Sequence, residues 1–374
     1  MVFGLGKKKK RSDTSASETM PRTTARTSSR AVVDPNGDEG DSSGDTAPAP
    51  KKEYKYGGDI SRTTYDLAGL PVNVFGVDEL TPAPARASAP SPPGVCVVIH
   101  MHGRLGKAAD DEGIARQMYD RISREKETYR TQQDSTGQEA GETKDVLIVT
   151  FDARNHGYRL TNPAGQKDWK SGNPRHAMDL YGMIVGDARD VSFIVDFLAP
   201  YLFPYDERRV DQWVVTGKSL GGHATWHVLA NEPRITVGVP FIGMPDYTRL
   251  LNSRTRTQFV ANGPPYVPAS LKALIDKIDP AKQPYDIFDS VKNPFWGKKI
   301  CVLSGARDKL VLWDWNQDFL NALVLAEPQG PTATMPGLKV SQKQGVGHEV
   351  TAEMVEDAGE WIYNWAVAPQ PRQI

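Results

Sequence analysis

Cysteine and net charge are both scarce in this 374-residue chain: it has two cysteines, and its charge sums to −1 at neutral pH. Two cysteines cannot build a disulfide framework. Cys96 and Cys301 lie inside the apolar runs Val95-Cys96-Val97-Val98-Ile99 and Ile300-Cys301-Val302-Leu303, which reads as two reduced core thiols. The balanced charge gives nucleic acid or an anionic membrane no electrostatic hold, so neither is expected as the main partner. No stretch reaches the roughly 18 consecutive apolar residues of a membrane span. The basic N-terminus lacks the apolar core of a secretory signal behind it. No internal repeat is visible, which argues against a propeller or solenoid. The expectation is a soluble cytoplasmic protein.

What is present is uneven. Residues 1–56 hold almost no apolar run: a basic block, Lys7 to Arg11, precedes Ser/Thr/Arg-rich sequence and an acidic patch from Asp34 to Asp45. Such a segment cannot bury enough apolar surface to offset the entropy of ordering it, so it reads as a disordered tail. Its basic block is a solvated charge run, a nuclear-import signal or a lipid-surface contact. Residues 57–374 then alternate apolar runs with helical periodicity. Strands are expected at Thr63–Leu67, Pro71–Val77, Val95–Met101, Val146–Phe151, Trp213–Thr216, Thr236–Ile242, Lys299–Leu303 and Gly337–Ser341. Helices are expected over 108–127, 177–199, 223–231, 313–326 and 351–365, with loops over 81–93, 128–144 and 158–175. Residues 247–295, broken by Pro264, Pro265, Pro268, Pro280 and Pro284, read as a short helical insertion that could cap a site. The alternation implies an α/β fold with a mainly parallel sheet flanked by helices.

In such sheets ligands meet the carboxyl ends of the strands. After Gln212-Trp213-Val214-Val215-Thr216 comes Gly217-Lys218-Ser219-Leu220-Gly221-Gly222, then helical sequence. A serine on so sharp a strand-to-helix turn needs glycine two residues to either side, because a Cβ there would clash. The other strand ends carry His102-Gly103-Arg104-Leu105-Gly106, Asp152 to Gly157, Asp246, Asp308 and Gly347-His348. A serine hydroxyl becomes a nucleophile when a histidine accepts its proton and an acid fixes that histidine. Ser219, Asp308 and His348 supply these roles in the order serine, acid, base. Asp246 and Asp314 compete for the place of the acid.

With these motifs the chain resembles the α/β-hydrolase superfamily over roughly residues 60–366. The resemblance implies an oxyanion hole from the Leu220 amide and the Arg104 amide, with Gly103 just before it. Gly221-Gly222 is similar to the prolyl-oligopeptidase and dienelactone-hydrolase branches. Asp152-Ala153-Arg154-Asn155-His156-Gly157 and Asn173-Pro174-Arg175-His176-Ala177 resemble intracellular hydrolases of fungal type. The chain departs from those branches in two ways: it has no sequence for a propeller, and a serine stands where dienelactone hydrolases use cysteine. The implied activity is a serine hydrolase acting on a small ester, with no metal or organic cofactor. A small peptidase or amidase using the same residues is the alternative, and a catalytically quiet binding protein a further one.

The remaining polar residues admit plainer readings. His100 and His102 alternate like metal ligands, but the rest of such a site is missing, so a loop-positioning role is expected. His156 is expected to orient its loop, and His223 and His227 to pack beneath the site. Lys218 and Arg307 are read as exposed neighbours. Tyr158, Trp169 and Tyr247 sit in loops on the presumed site face and are candidates for lining an acyl pocket or for packing.

Overall fold

The protein is described by a computed structural model over residues 60–82, 92–136, 141–326 and 337–369, and the structural statements here concern those residues. The expected tail, with its basic block, lies outside them, as does most of the proline-rich connector. β1 (Arg62–Leu67) and β2 (Leu70–Phe75) form a hairpin closed by Ala68-Gly69, both at positive φ (51° and 90°). That pair of conformations matches the right-handed twist of the strands it joins. β3 (Val95–Met101) and β4 (Asp145–Phe151) follow, each buried at every position. Between them run a short 3₁₀ turn, Ala108–Asp111, and α1 (Glu112–Thr136).

The rest of the chain keeps the alternation. α2 (His176–Leu202) leads to β5 (Val210–Lys218), α3 (Leu220–Asn231) and β6 (Ile235–Phe241). Then come α4 (Tyr247–Thr257), α5 (Ala269–Ile278), β7 (Lys299–Gly305), α6 (Asp314–Ala322), β8 (Leu338–Lys343) and α7 (Ala352–Ile362). The eight strands form one sheet in the order β1-β2-β4-β3-β5-β6-β7-β8. β2 runs antiparallel to β1 and β4, and every pairing from β4 to β8 is parallel.

Both faces of the sheet are covered, which is why its strands read as continuous apolar runs. Val95, Val97, Ile99 and Met101 of β3 face one core with residues of α2 and α3, including Ile194 and Trp226. Cys96 and Val98 face the other, with Met118 and Ile122 of α1 and Met354 and Ile362 of α7. Each large aliphatic side chain sealed in this way contributes about 1.5–3 kcal/mol. Register brings the strand ends level: Met101 pairs with Phe151 and Gly217, Lys218 with Phe241, and Gly305 with Lys343. The loops that leave these ends therefore share one edge. None of the described helices is long and apolar enough to cross a membrane.

Two differences from the expected boundaries have a visible cause. Residues 128–136, expected as loop, continue α1. Their polarity hid the helix, for the Thr128 and Thr131 hydroxyls bond back to the Arg124 and Glu127 carbonyls without breaking it. The helix expected to reach Ala326 stops at Ala322, because the next residues are held extended: the Val324 amide donates to the Tyr285 carbonyl and the Gly297 amide to the Leu325 carbonyl.

Candidate active site

Ser219 sits between β5 and α3 at φ 55° and ψ −105°, a strained conformation for a non-glycine residue. Its neighbours have no room for side chains. A Cβ on Gly217 would stand 2.3 Å from the Gly221 carbonyl oxygen, and one on Gly221 would stand 2.2 Å from the Met101 carbonyl oxygen. Gly222 is as tight, 2.4 Å from the Phe241 carbonyl oxygen. The glycine pattern is thus a packing requirement, with α3 wedged against the ends of β3 and β6. Hydrogen bonds fix the turn: Ser219 N donates to Phe241 O, Gly221 N to His102 O, and His223 N to Ser219 O.

Asp308 follows β7, and His348 lies between β8 and α7. Their loops are held together by the Arg307 amide on the Val346 carbonyl, at 2.8 Å. His348 Nδ1 lies 2.7 Å from Asp308 Oδ2, and His348 Nε2 lies 2.8 Å from Ser219 Oγ. Asp308 Oδ1 accepts the amides of Leu310 and Val311. Burial alone would raise the Asp308 carboxyl, but His348 and these two amides hold it below the usual carboxylate range. The competing acids are engaged elsewhere. Asp246 caps α4 through the Arg249 amide, and Asp314 stands in the first turn of α6.

Ser219 and His348 open into a cleft of about 450 Å³, which Gly103 and Arg104 also line. A Cβ on Gly103 would stand 3.6 Å from the Ser219 Cβ, so this loop passes close beside Ser219. The Leu220 amide opens α3, where no earlier helical turn supplies it a carbonyl. Two histidines lock the Gly103 loop. The Ala153 amide donates to His102 Nε2, whose Nδ1–H donates to the Gly103 carbonyl. The Leu105 amide likewise donates to His156 Nε2, whose Nδ1–H bonds the Arg154 carbonyl. Each ring is therefore neutral with a fixed tautomer, and burial holds both below the ordinary histidine range. His223 is buried beneath the elbow with Nδ1 on the Met244 backbone, and burial brings it down to about 4. His227 is buried in the same helix.

The three aromatic candidates are not brought to this cleft. Trp169 packs against the His176 ring with centroids 5.0 Å apart. Tyr247 is buried, its hydroxyl donating to the Ala177 carbonyl. Tyr158 is 94% exposed and borders a separate depression beside β1 and β2. The apolar lining comes instead from Leu105, Ile114, Ile242, Leu310, Val311 and Val350.

Sequence reasoning missed two residues. Buried Asp111 bonds His100 Nε2 at 3.3 Å and forms an ion pair with Lys218, so Lys218 is not the free exposed neighbour it was read as. The partners are far apart in sequence and gave no local signal. Arg254 of α4 reaches the cleft from a helix that reads as a polar insertion. Among the described residues no group of three or more His, Cys, Asp or Glu is arranged to hold a metal ion.

No family model and no curated protein matches the chain. Solved structures do. TT1662 from Thermus thermophilus is 19% identical, with 82% of this chain and 98% of that one covered at a TM-score of 0.54. An acylaminoacyl peptidase from Pyrococcus horikoshii is 10% identical, covering 84% of this chain and 43% of its own, at a TM-score of 0.48. The Pyrococcus furiosus esterase Pf2001 is 16% identical, covering 82% and 93%, at a TM-score of 0.42. The strand order, with its antiparallel second strand, is that of the α/β-hydrolase fold.

Proposed function

We propose that the chain is a serine hydrolase, and most directly a carboxylic ester hydrolase working through an acyl-enzyme on Ser219. The observation that carries this reading is the position of His348, 2.8 Å from Ser219 Oγ through one nitrogen and 2.7 Å from Asp308 through the other. Ser219 Oγ attacks the substrate carbonyl carbon while His348 Nε2 takes its proton. Asp308 stays ionised, keeps the remaining proton on Nδ1 and stabilises the imidazolium. The oxyanion takes hydrogen bonds from the Leu220 and Arg104 amides, and the missing side chain of Gly103 leaves that approach open. Losing one such donor typically costs about 10²–10³ in rate. His348 then protonates the leaving alcohol. Water enters, gives its proton to Nε2 and attacks the acyl carbon, and Ser219 leaves with the proton returned. Ile242, Leu310 and Val311 are the acyl contacts this reading assigns. The segment 247–295 covers the site through α4.

Labelling by a fluorophosphonate, wild type beside Ser219→Ala, tests the proposal. Wild type is expected to label and to hydrolyse 4-nitrophenyl esters, and Ser219→Ala to lose label and about 10⁴-fold or more of kcat/KM. Ester turnover by Ser219→Ala at the wild-type rate would overturn the assignment.

A further inference from the structure

More cations than anions line the cleft. Arg104 and Arg254 both line it beside Ser219 and His348. Arg104 spends Nη1 on the Gln166 carbonyl, and Arg254 spends Nη1 on His176 Nε2. Among the described residues neither guanidinium forms an ion pair, in a molecule where most other well-placed arginines do. His176 supplies no counter-charge, since its Nδ1–H is committed to the Lys167 carbonyl and burial keeps the ring neutral, at about 4. Asp168 accepts the Ser171 amide and acts on both arginines from beyond ion-pair distance, and the buried Tyr247 hydroxyl is a neutral donor. The third cation of the lining, Lys218, already has Asp111. Only Glu349, exposed at the mouth, adds a negative charge to the lining. Burial brings Arg254 down to about 10, with the nearby Arg104 charge adding to the shift and Asp168 opposing it. Two partly buried guanidinium groups with no carboxylate in contact are costly to maintain, and a ligand carboxylate placed against them would relieve that cost.

Resting on the serine hydrolase reading, we infer that Arg254, assisted by Arg104, binds a carboxylate on the substrate, so that the preferred substrates are anionic esters. A guanidinium offers a planar fork matched to a carboxylate, and a partly desolvated cleft strengthens that pairing. Anion binding by Arg254 would orient the acyl carbonyl against Ser219, so that a neutral ester of equal length lacks the anchor.

The experiment compares kcat/KM for mono(4-nitrophenyl) adipate with 4-nitrophenyl hexanoate, and for the hexanoate ester of 4-hydroxybenzoate with phenyl hexanoate. The pairs place the carboxylate on the acyl and the leaving side. The full-length chain is expected to favour the anionic member of at least one pair by about ten- to hundredfold. Arg254→Gln is expected to abolish that ratio, mainly through KM, and Arg254→Lys to keep part of it. Added salt should lower the anionic rate more than the neutral one, a readout that needs no variant to fold. Equal rates within both pairs, or a ratio that Arg254→Gln leaves intact, in protein that the fluorophosphonate labels, overturns the inference and leaves the hydrolase standing. Wild type that takes no label overturns both.

Discussion

The fold contains two acid–histidine–hydroxyl chains. In one, Asp308, His348 and Ser219 are linked at 2.7 and 2.8 Å. In the other, Asp111, His100 and Thr216 are linked at 3.3 and 2.8 Å, one strand away. The chemistry of the groups is alike, yet only the first can meet a substrate. His348 keeps 19% of its side chain exposed and lines the cleft, whereas His100 keeps 1%. The backbone differs too. Ser219 is lifted out of the sheet at positive φ, while Thr216 lies within β5 and points its hydroxyl at a neighbouring strand. On the proposed function, access and a raised hydroxyl are what set the first chain apart, and the same contacts sealed in the sheet tie strands together.

The largest expected effect comes from breaking the exposed chain at its acid. Asp308 Oδ1 accepts two amides, so in Asp308→Asn the amide oxygen must stay there. The NH₂ group is then turned to His348 Nδ1, which forces the ring proton onto Nε2, where it can no longer accept from Ser219. Ester kcat is expected to fall about 10³–10⁴-fold with the fold retained. A loss below tenfold would show that Asp308 is not the orienting acid. Breaking the sealed chain should act on stability instead. Asp111→Asn leaves Lys218 without its carboxylate and weakens the His100 contact, at a cost of about 3 kcal/mol in chemical denaturation. The folded fraction is still expected to take the fluorophosphonate. An unchanged denaturation midpoint would remove the structural role given to this second chain.

How much of this was legible in the sequence follows the range of the interactions. The buried strands could be read because a sheet covered on both faces needs uninterrupted apolar residues. The elbow could be read because its steric demand falls on positions adjacent in the chain, Gly217 and Gly221. Asp308 and His348, which the structure brings together with Ser219, could be singled out by their place at strand ends. Arg254 was not, since α4 shows only an amphipathic polar helix, and which side chain is covered depends on α2 and the Gly103 loop packing over it. Asp111 was missed for the same reason, with partners 11 and 107 residues away. Of the two readings open to Trp169 and Tyr247, lining or packing, both take the packing one. Position on the site face does not set side-chain direction: Trp169 leaves its loop toward His176, and Tyr247 opens α4 with its ring turned inward.

A last contrast sharpens what a partner does for a buried acid. Asp187 of α2 is as sealed as Asp308, but only its Oδ1 is bonded, to the Arg154 amide, and Oδ2 has no partner. Burial, with Asp190 nearby, pushes its carboxyl up from 3.8 to about 8, where Asp308 is held low. A carboxyl whose folded pKa is raised binds its proton more tightly in the folded state. Its contribution to stability is therefore complete below the unfolded value of 3.8 and is lost as pH rises through about 8. Asp187→Asn cannot ionise, so it escapes that loss. The stability of wild type relative to Asp187→Asn should fall by up to about 1.4 kcal/mol per pH unit between those limits and level off above them. Paired denaturation curves at several pH values measure it. A difference that does not change with pH would mean that Asp187 ionises as an ordinary carboxylate, and that an unsatisfied oxygen in this helix costs less than its burial implies.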